Sequence, residues 1–106
     1  MVVDRFAVCL ASLDPTVGSE MAKTRPCVVV SPDVVNRTVR TVIVAPLTST
    51  IRGYPYRVMC KFAGRQGQVA LDQVRSIDKS RLLKRLGTLD VATGARVAAT
   101  LVEIFR

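Results

Sequence analysis

Arg25 stands directly before Pro26, and this dipeptide constrains the chain more than any other. A proline pushes the residue before it out of the helical region and into an extended conformation. Pro26 also lacks an amide N–H, so it fits a strand only at its beginning or on an edge. The surrounding stretch, residues 13 to 30, reads LDPTVGSEMAKTRPCVVV. One apolar run ends at Leu13 and the next begins at Cys27. Between them lie turn residues (Asp14, Pro15, Gly18), an acid (Glu20), hydroxyls and two cations (Lys23, Arg25). A polar loop of this length, held between two strands, is where a small domain usually keeps its site. Arg25 combines a stiff backbone with a long, permanently charged, fork-shaped side chain.

The rest of the chain reads as short strands followed by one helix. Phe6 to Leu13 is a first strand, with large residues on one parity (Phe6, Val8, Leu10) and small ones on the other (Ala7, Cys9, Ala11). The large face is expected toward the core. The small face leaves room for close approach, a second subunit being one hypothesis. Cys27 to Ser31 is short and β-branched, a buried strand. Ser31 to Asn36 reads as a turn or one helical turn. Arg40 to Leu47 is a third strand, stopped by Pro46. Tyr56 to Cys60 and Gln68 to Leu71 follow, joined by a glycine-containing loop at 63 to 67. Gln73 to Ile77 predicts a short strand, Asp78 to Leu82 a helical turn, and Arg85 to Leu89 a last strand. The period then changes. Val91, Ala95, Ala98, Leu101, Val102 and Phe105 recur at three-to-four spacing behind Asp90, a good N-cap. Gly94 weakens that helix by about 1 kcal/mol relative to alanine. The expected fold is mainly β with a C-terminal helix, an α+β single domain over residues 1–106. Few strands and an available helical plug favour a small, strongly curved barrel over a sandwich.

The chain carries 16 Lys and Arg against 8 Asp and Glu, with no histidine, for a net charge of +8. Most of the excess lies between residues 52 and 85. There Arg52, Arg57, Lys61, Arg65, Arg75, Lys79, Arg81, Lys84 and Arg85 face only Asp72 and Asp78. A concentrated basic field points to a polyanionic partner, most often nucleic acid. Cys9, Cys27 and Cys60 share no short spacing, which argues against a zinc site and against a disulfide framework. Reduced core thiols in a cytoplasmic protein are expected. No apolar run approaches the length of a membrane span.

Three polar stretches follow strands: the loop before Arg25, Pro46 to Arg52 (PLTSTIR), and Leu71 to Lys79 (LDQVRSIDK). Thr48 is expected to be rigidly placed at a strand end. The usual neutral-pH base is missing with histidine, and GRQG at 64 to 67 lacks the Lys and Ser/Thr of a phosphate loop. Tyr54 and Tyr56, near Arg52 and Arg57, could stack one base or two.

Together these stretches resemble the MazF/PemK family, toxins of type II toxin–antitoxin modules. The resemblance covers nearly the whole chain. It rests on LDPTVGSE (13 to 20), KTRPCVVVSPD (23 to 33), VIVAPLTST (42 to 50) and LDQVRSIDKSRL (71 to 82), in that order and at similar spacing. It implies an SH3-like barrel of the CcdB/Kid/MazF type that forms a homodimer. It also implies cleavage of single-stranded RNA, often mRNA, at short sequences without a metal or other cofactor. The catalytic arginine of the family falls on Arg25 and its catalytic threonine on Thr48. Ser19, Glu20, Ser49, Arg52, Asp72, Gln73 and Arg75 become expected contacts to bases and phosphates. An acidic antitoxin, MazE-like, is the implied protein partner. The chain departs from some relatives at Ala70, where they carry an arginine, at Ser19, where they carry a histidine, and at Asp4–Phe6, where a glycine is usual. Two alternatives are a CcdB-like toxin that binds gyrase and an inactive nucleic-acid-binding module.

Overall fold

Strand β3 (Thr41–Thr48) is the spine of the molecule, because it pairs with three different strands along its length. The computed structural model describes residues 1–106. The near half of β3 pairs with β6 (Arg75–Asp78), Val42 lying opposite Ile77. Its middle pairs with β2 (Thr24–Val29), Ala45 lying opposite Val28. Its end pairs with β5 (Arg65–Ala70), Thr48 lying opposite Gln68. Strand β1 (Ala7–Ser12) joins β2 to β7 (Leu82–Thr88), and β4 (Arg57–Phe62) joins the far side of β5. The order is β4-β5-β3-β2-β1-β7, with β6 on β3, and every pairing is antiparallel. Edge strands β4 and β7 curl toward each other: a Cβ on Gly87 would lie 3.0 Å from Phe62 Cζ.

Both faces of the sheet are buried. Ala7, Cys9, Ala11, Cys27, Val29, Val42 and Val44 line one core with Leu13 and Ile77. Val8, Val28, Val30 and Ala45 line the other, with Val58, Val69, Leu71 and Val97. Strands buried on both faces read as continuous apolar runs, which is the pattern of Cys27 to Val30. The small residues of β1 therefore face a core and leave no surface for a second subunit. Pro26 is the third residue of β2, which starts earlier than the apolar run suggested. It falls just outside the β2–β3 ladder, which begins at Cys27, so its missing N–H costs no pairing there.

Other local expectations hold with small shifts. The 63 to 67 loop is a tight hairpin: Ala63 and Gly64 both have positive φ (52° and 77°), the two-residue turn that matches strand twist. The expected strand at 73 to 77 is split into a 3-10 turn at Leu71–Gln73 and the shorter β6. A six-residue helix, α1 (Asp33–Thr38), follows Pro32.

Helix α2 (Val91–Phe105) is capped as expected, Asp90 accepting the Thr93 N–H at 3.1 Å and the Thr93 hydroxyl at 2.6 Å. These bonds hold the Asp90 carboxyl below its usual range. Its inward face is not the stripe expected from spacing. Thr93, Gly94 and Val97 are buried, with Leu101 and Ile104 half-buried against the second core. Val91, Val102 and Phe105 point outward, Val91 being 90% exposed. The helix carries two apolar stripes, and the one containing Gly94 faces inward because Phe6 lies beneath it. A Cβ on Gly94 would come within 2.9 Å of Phe6 Cδ2. Phe6 itself has φ +70°, a region that favours glycine. Its left-handed backbone costs about 1–2 kcal/mol, and ring burial on the second core offsets that.

Gly94→Ala tests this contact. Propensity alone favours alanine by about 1 kcal/mol, whereas overpacking costs about 1–3 kcal/mol. The variant is expected to melt lower, by about 4–8 °C per kcal/mol lost, in a thermal unfolding scan. A second test concerns the thiols, all three free and buried. Burial pushes Cys27 from 9.0 up to about 12, against the opposing pull of Arg25, and raises Cys9 and Cys60 for the same reason. A pKa raised on folding means the folded state holds the proton more tightly. The Cys27 contribution is thus whole below pH 9 and lost as pH rises toward 12. Urea unfolding from pH 8 upward is expected to show this decline, and Cys27→Ala to flatten it.

Candidate active site

The register of β2 against β3 makes the site. The last ladder pair is Cys27 with Pro46, and two residues beyond it stand Arg25 on β2 and Thr48 on β3. Both line a cleft of about 550 Å³ together with Pro26, Leu47, Ser49 and Thr50. The opposite wall comes from the β4–β5 hairpin: Phe62, Arg65, Gln66 and Gly67. No single motif announced Arg65 and Gln66. Their only signal was the Gly64 turn that aims the hairpin at the end of β3.

Arg25 is half-buried and oriented by its own loop. Nε donates to Ala22 O at 3.2 Å, and Nη1 approaches Met21 Sδ at 3.5 Å. Both N–H groups of Nη2 have no acceptor in the chain. Thr48 Oγ1 accepts the Thr50 N–H at 3.1 Å. With that lone pair occupied from behind, the hydroxyl proton is free to be donated elsewhere. Beneath it, β5 approaches so closely that a Cβ on Gly67 would lie 2.5 Å from Thr48 O. Only glycine permits this seating of the β3 end.

Ser19, Glu20, Asp72, Gln73 and Arg75 are brought together around a separate cleft of about 330 Å³, with Met21 and Pro46. Most of them are already engaged. Gln73 Oε1 accepts the Met21 N–H at 3.1 Å, and Gln73 Nε2 reaches Ser19 O at 3.5 Å. Arg75 donates to Leu13 O at 3.0 Å. Glu20 Oε1 accepts the Val17 N–H at 2.6 Å. Asp72 takes both ends of the Arg57 guanidinium, at 2.5 and 3.1 Å, beneath Tyr54. The structure thus gives Glu20, Gln73 and Arg75 a loop-holding task, pairs Asp72 with Arg57, and leaves the Ser19 hydroxyl free at the rim.

Arg52 belongs to neither cleft. It lies over the Tyr54 ring at 5.9 Å, in the β3–β4 loop, and its main chain is held by Gln68. Of the basic segment, Arg57 and Arg85 have carboxylate partners. Arg75, Arg81 and Lys79 donate to main-chain carbonyls of Leu13, Ser12 and Asp14, and Asn36. Such bonds fix direction without cancelling charge, so the positive field survives. No three His, Cys, Asp or Glu side chains converge. No helix is long and apolar enough to cross a membrane.

Comparison with known proteins agrees with this geometry. Residues 4–105 match the family described as PemK-like, MazF-like toxin of type II toxin-antitoxin system. The endoribonuclease EndoA of Bacillus subtilis is 38% identical over 96 residues, covering 85% of this chain and 83% of that protein. The crystal structure of MazF from Deinococcus radiodurans superposes with a TM-score of 0.87 at 29% identity, covering 99% of this chain and 97% of that one. A MazE–MazF structure from the same organism gives 0.79 at 26% identity, covering 99% and 96%. The spine strand, the bent sheet and the capping helix are shared features of one fold, and the chain belongs to the PemK/MazF toxin family.

Proposed function

We propose that this chain is a toxin that cuts single-stranded RNA with Arg25 and Thr48, using the RNA's own 2′-OH. The observation that carries this is their position: an arginine with free donors and a threonine with a free hydroxyl proton, on neighbouring strands and lining one cleft. In the step, the 2′-oxygen attacks the adjacent phosphorus and the bond to the 5′-oxygen breaks. The 2′-OH proton goes to an acceptor, and the leaving 5′-oxygen takes up a proton. The products are a 2′,3′-cyclic phosphate, or the 3′-phosphate after opening, and a 5′-OH end. Negative charge builds on the phosphate oxygens as the attack proceeds. Donors aimed at that charge before it forms are the main source of acceleration. The free N–H groups of Arg25 Nη2 donate to phosphate oxygens from the guanidinium plane, and the Thr48 hydroxyl donates to one of them. The guanidinium is too basic for easy proton donation, so its role is charge stabilisation. Water takes the 2′-OH proton and supplies the one gained by the 5′-oxygen, so the step balances with these side chains, the substrate and solvent.

Ser49, Arg65 and Gln66 line the same cleft and are placed to meet the strand on either side of the cut. Ser19 and Arg52 mark the two loops that flank it. Phosphate contacts position the strand, while polar groups at base edges choose the sequence. The MazE–MazF likeness and the basic field support an acidic antitoxin segment that orders on the groove. The outward stripe of α2, with Val91, Val102 and Phe105, supports a homodimer. A cytoplasmic site of action follows from the RNA substrate. The EndoA likeness favours the nuclease over the gyrase-binding alternative.

A long single-stranded RNA, incubated with the protein in EDTA and mapped by primer extension, is expected to be cut at discrete sites. One 2′-deoxy substitution at a mapped site is expected to stop the cut there. Absence of cleavage of any RNA would overturn the reading. Arg25→Ala and Thr48→Val are each expected to slow cleavage by about 10²–10³-fold. Arg25→Lys is expected to restore little, since an ammonium lacks the fork. Binding of an uncleavable 2′-deoxy strand is expected to weaken with salt. For about 3–5 contacted phosphates the log–log slope is about −2 to −3.5; a flat response would remove the electrostatic part of the reading.

A further inference from the structure

Gln68 is a buried polar side chain, 3% exposed, with no path to a bound strand. Its amide reaches the main chain of a single residue in the β3–β4 loop. Nε2 donates to Arg52 O at 2.9 Å, and Oε1 accepts the Arg52 N–H at 3.1 Å. Nε2 also lies 3.5 Å from Met59 Sδ. In the ladder, the backbone of Gln68 pairs with Thr48. One residue therefore closes the segment Thr48–Arg52 at both ends, by its main chain at Thr48 and by its side chain at Arg52. Within that closed segment lies the Thr50 N–H bond to Thr48 Oγ1.

We propose that Gln68 is a positioning residue for cleavage: by clamping Arg52 it fixes the Thr48–Arg52 segment, and so aims the Thr48 hydroxyl and Ser49 at the substrate strand. The proposal rests on the ribonuclease reading above. A primary amide offers one acceptor and a donor side by side, which is what a single residue's N–H and C=O require. Asn and Gln present that pair at every pH, whereas a carboxyl presents it only when protonated. The clamp holds main chain, so it acts whatever side chain stands at position 52. If the segment swings, the Thr50 N–H leaves Thr48 Oγ1 and the hydroxyl loses its direction. Misplacement of a catalytic group by about 1 Å can cost about a hundredfold in rate.

The experiment uses the full chain with Gln68→Met, which keeps length and volume, and Gln68→Glu. Amide exchange at Thr50 and Arg52 is read by NMR without RNA. Cleavage of an oligonucleotide carrying a mapped site is read as kcat and KM from pH 5.5 to 8.5. Gln68→Met is expected to keep cooperative unfolding, to speed Arg52 exchange by about tenfold or more, and to lower kcat by about ten- to a hundredfold with KM little changed. Gln68→Glu carries its own signature. A neutral carboxyl both donates to Arg52 O and accepts from Arg52 N–H, whereas a carboxylate only accepts. Its kcat relative to the wild-type chain is therefore expected to rise as pH falls, which a purely structural role would not produce. Unchanged Arg52 exchange in Gln68→Met overturns the clamp. Faster exchange with unchanged kcat overturns the positioning role. A Gln68→Glu profile parallel to wild type overturns the amide match, and this arm stands alone if Gln68→Met does not fold. A wild-type chain that cuts no RNA would mean failure of the ribonuclease reading instead; the exchange arm then decides the clamp by itself.

Discussion

The pairing of one strand, β3, with three neighbours is the constraint on which the site depends. Hydrogen-bonded ladders hold Thr41–Val44 to β6, Val44–Pro46 to β2 and Leu47–Thr48 to β5. A strand can change partners like this only if the sheet bends sharply, and the bend buries both faces in separate cores. The same bend opens the cleft where β2 and β5 part from β3. A one-residue slip of β2 on β3 would turn Arg25 to the other face and exchange the two cores. The placement of the proposed catalytic pair and the stability of the fold thus depend on a single register.

Around this rigid centre the loops are held by side chains that bond to main chain. Gln73, Arg75 and Arg81 grip the β1–β2 loop at Met21, Ser19, Leu13, Ser12 and Asp14. Gln68 grips the β3–β4 loop at Arg52, and Arg57 braces Asp72 beneath Tyr54. Each net hydrogen bond of this kind contributes about 0.5–1.5 kcal/mol. More important, each removes freedom from a segment that no ladder reaches. The basic charge of residues 52 to 85 therefore serves two ends at once. Several cations are structural struts, yet they remain cations, and the field they make still extends into solvent.

Much of this was legible before any coordinates. Arg25 before proline and Thr48 at a strand end were each readable from local rules, and the order of four motifs carried the family. Strand positions followed apolar runs because runs buried on two faces leave little ambiguity. Three things were not legible, for physical reasons. Spacing alone cannot choose between two apolar stripes on α2; the choice was made by Phe6, a residue 88 positions before Gly94 in sequence and in direct contact with it. A polar side chain in a loop-rich motif looks alike whether it faces a ligand or a carbonyl, so Gln73 and Arg75 read as ligand contacts. Arg65 and Gln66 enter the cleft through a hairpin whose direction is set by the twist of β4 and β5, which no linear pattern records.

These struts bear on how such a site can vary. A bond to main chain does not read the side chain it holds. Loop residues such as Ser19, Thr50 or the Arg52 guanidinium can change without loosening the loop, so long as the glutamines and arginines beneath them stay. The reverse is not true: a change at Gln68 or Gln73 alters a whole segment at once. Sequence selection and catalytic placement are thereby separated into different layers of the molecule. The outer layer, exposed and loosely constrained, is the one a bound strand would meet under the proposed reading. The inner layer, buried at Gln68 and half-buried at Gln73, Arg75 and Arg81, bonds to the backbone that carries the outer one. If Arg25 and Thr48 carry the chemistry, as proposed above, nearly all the rest of the cleft is available to choose where the strand is cut.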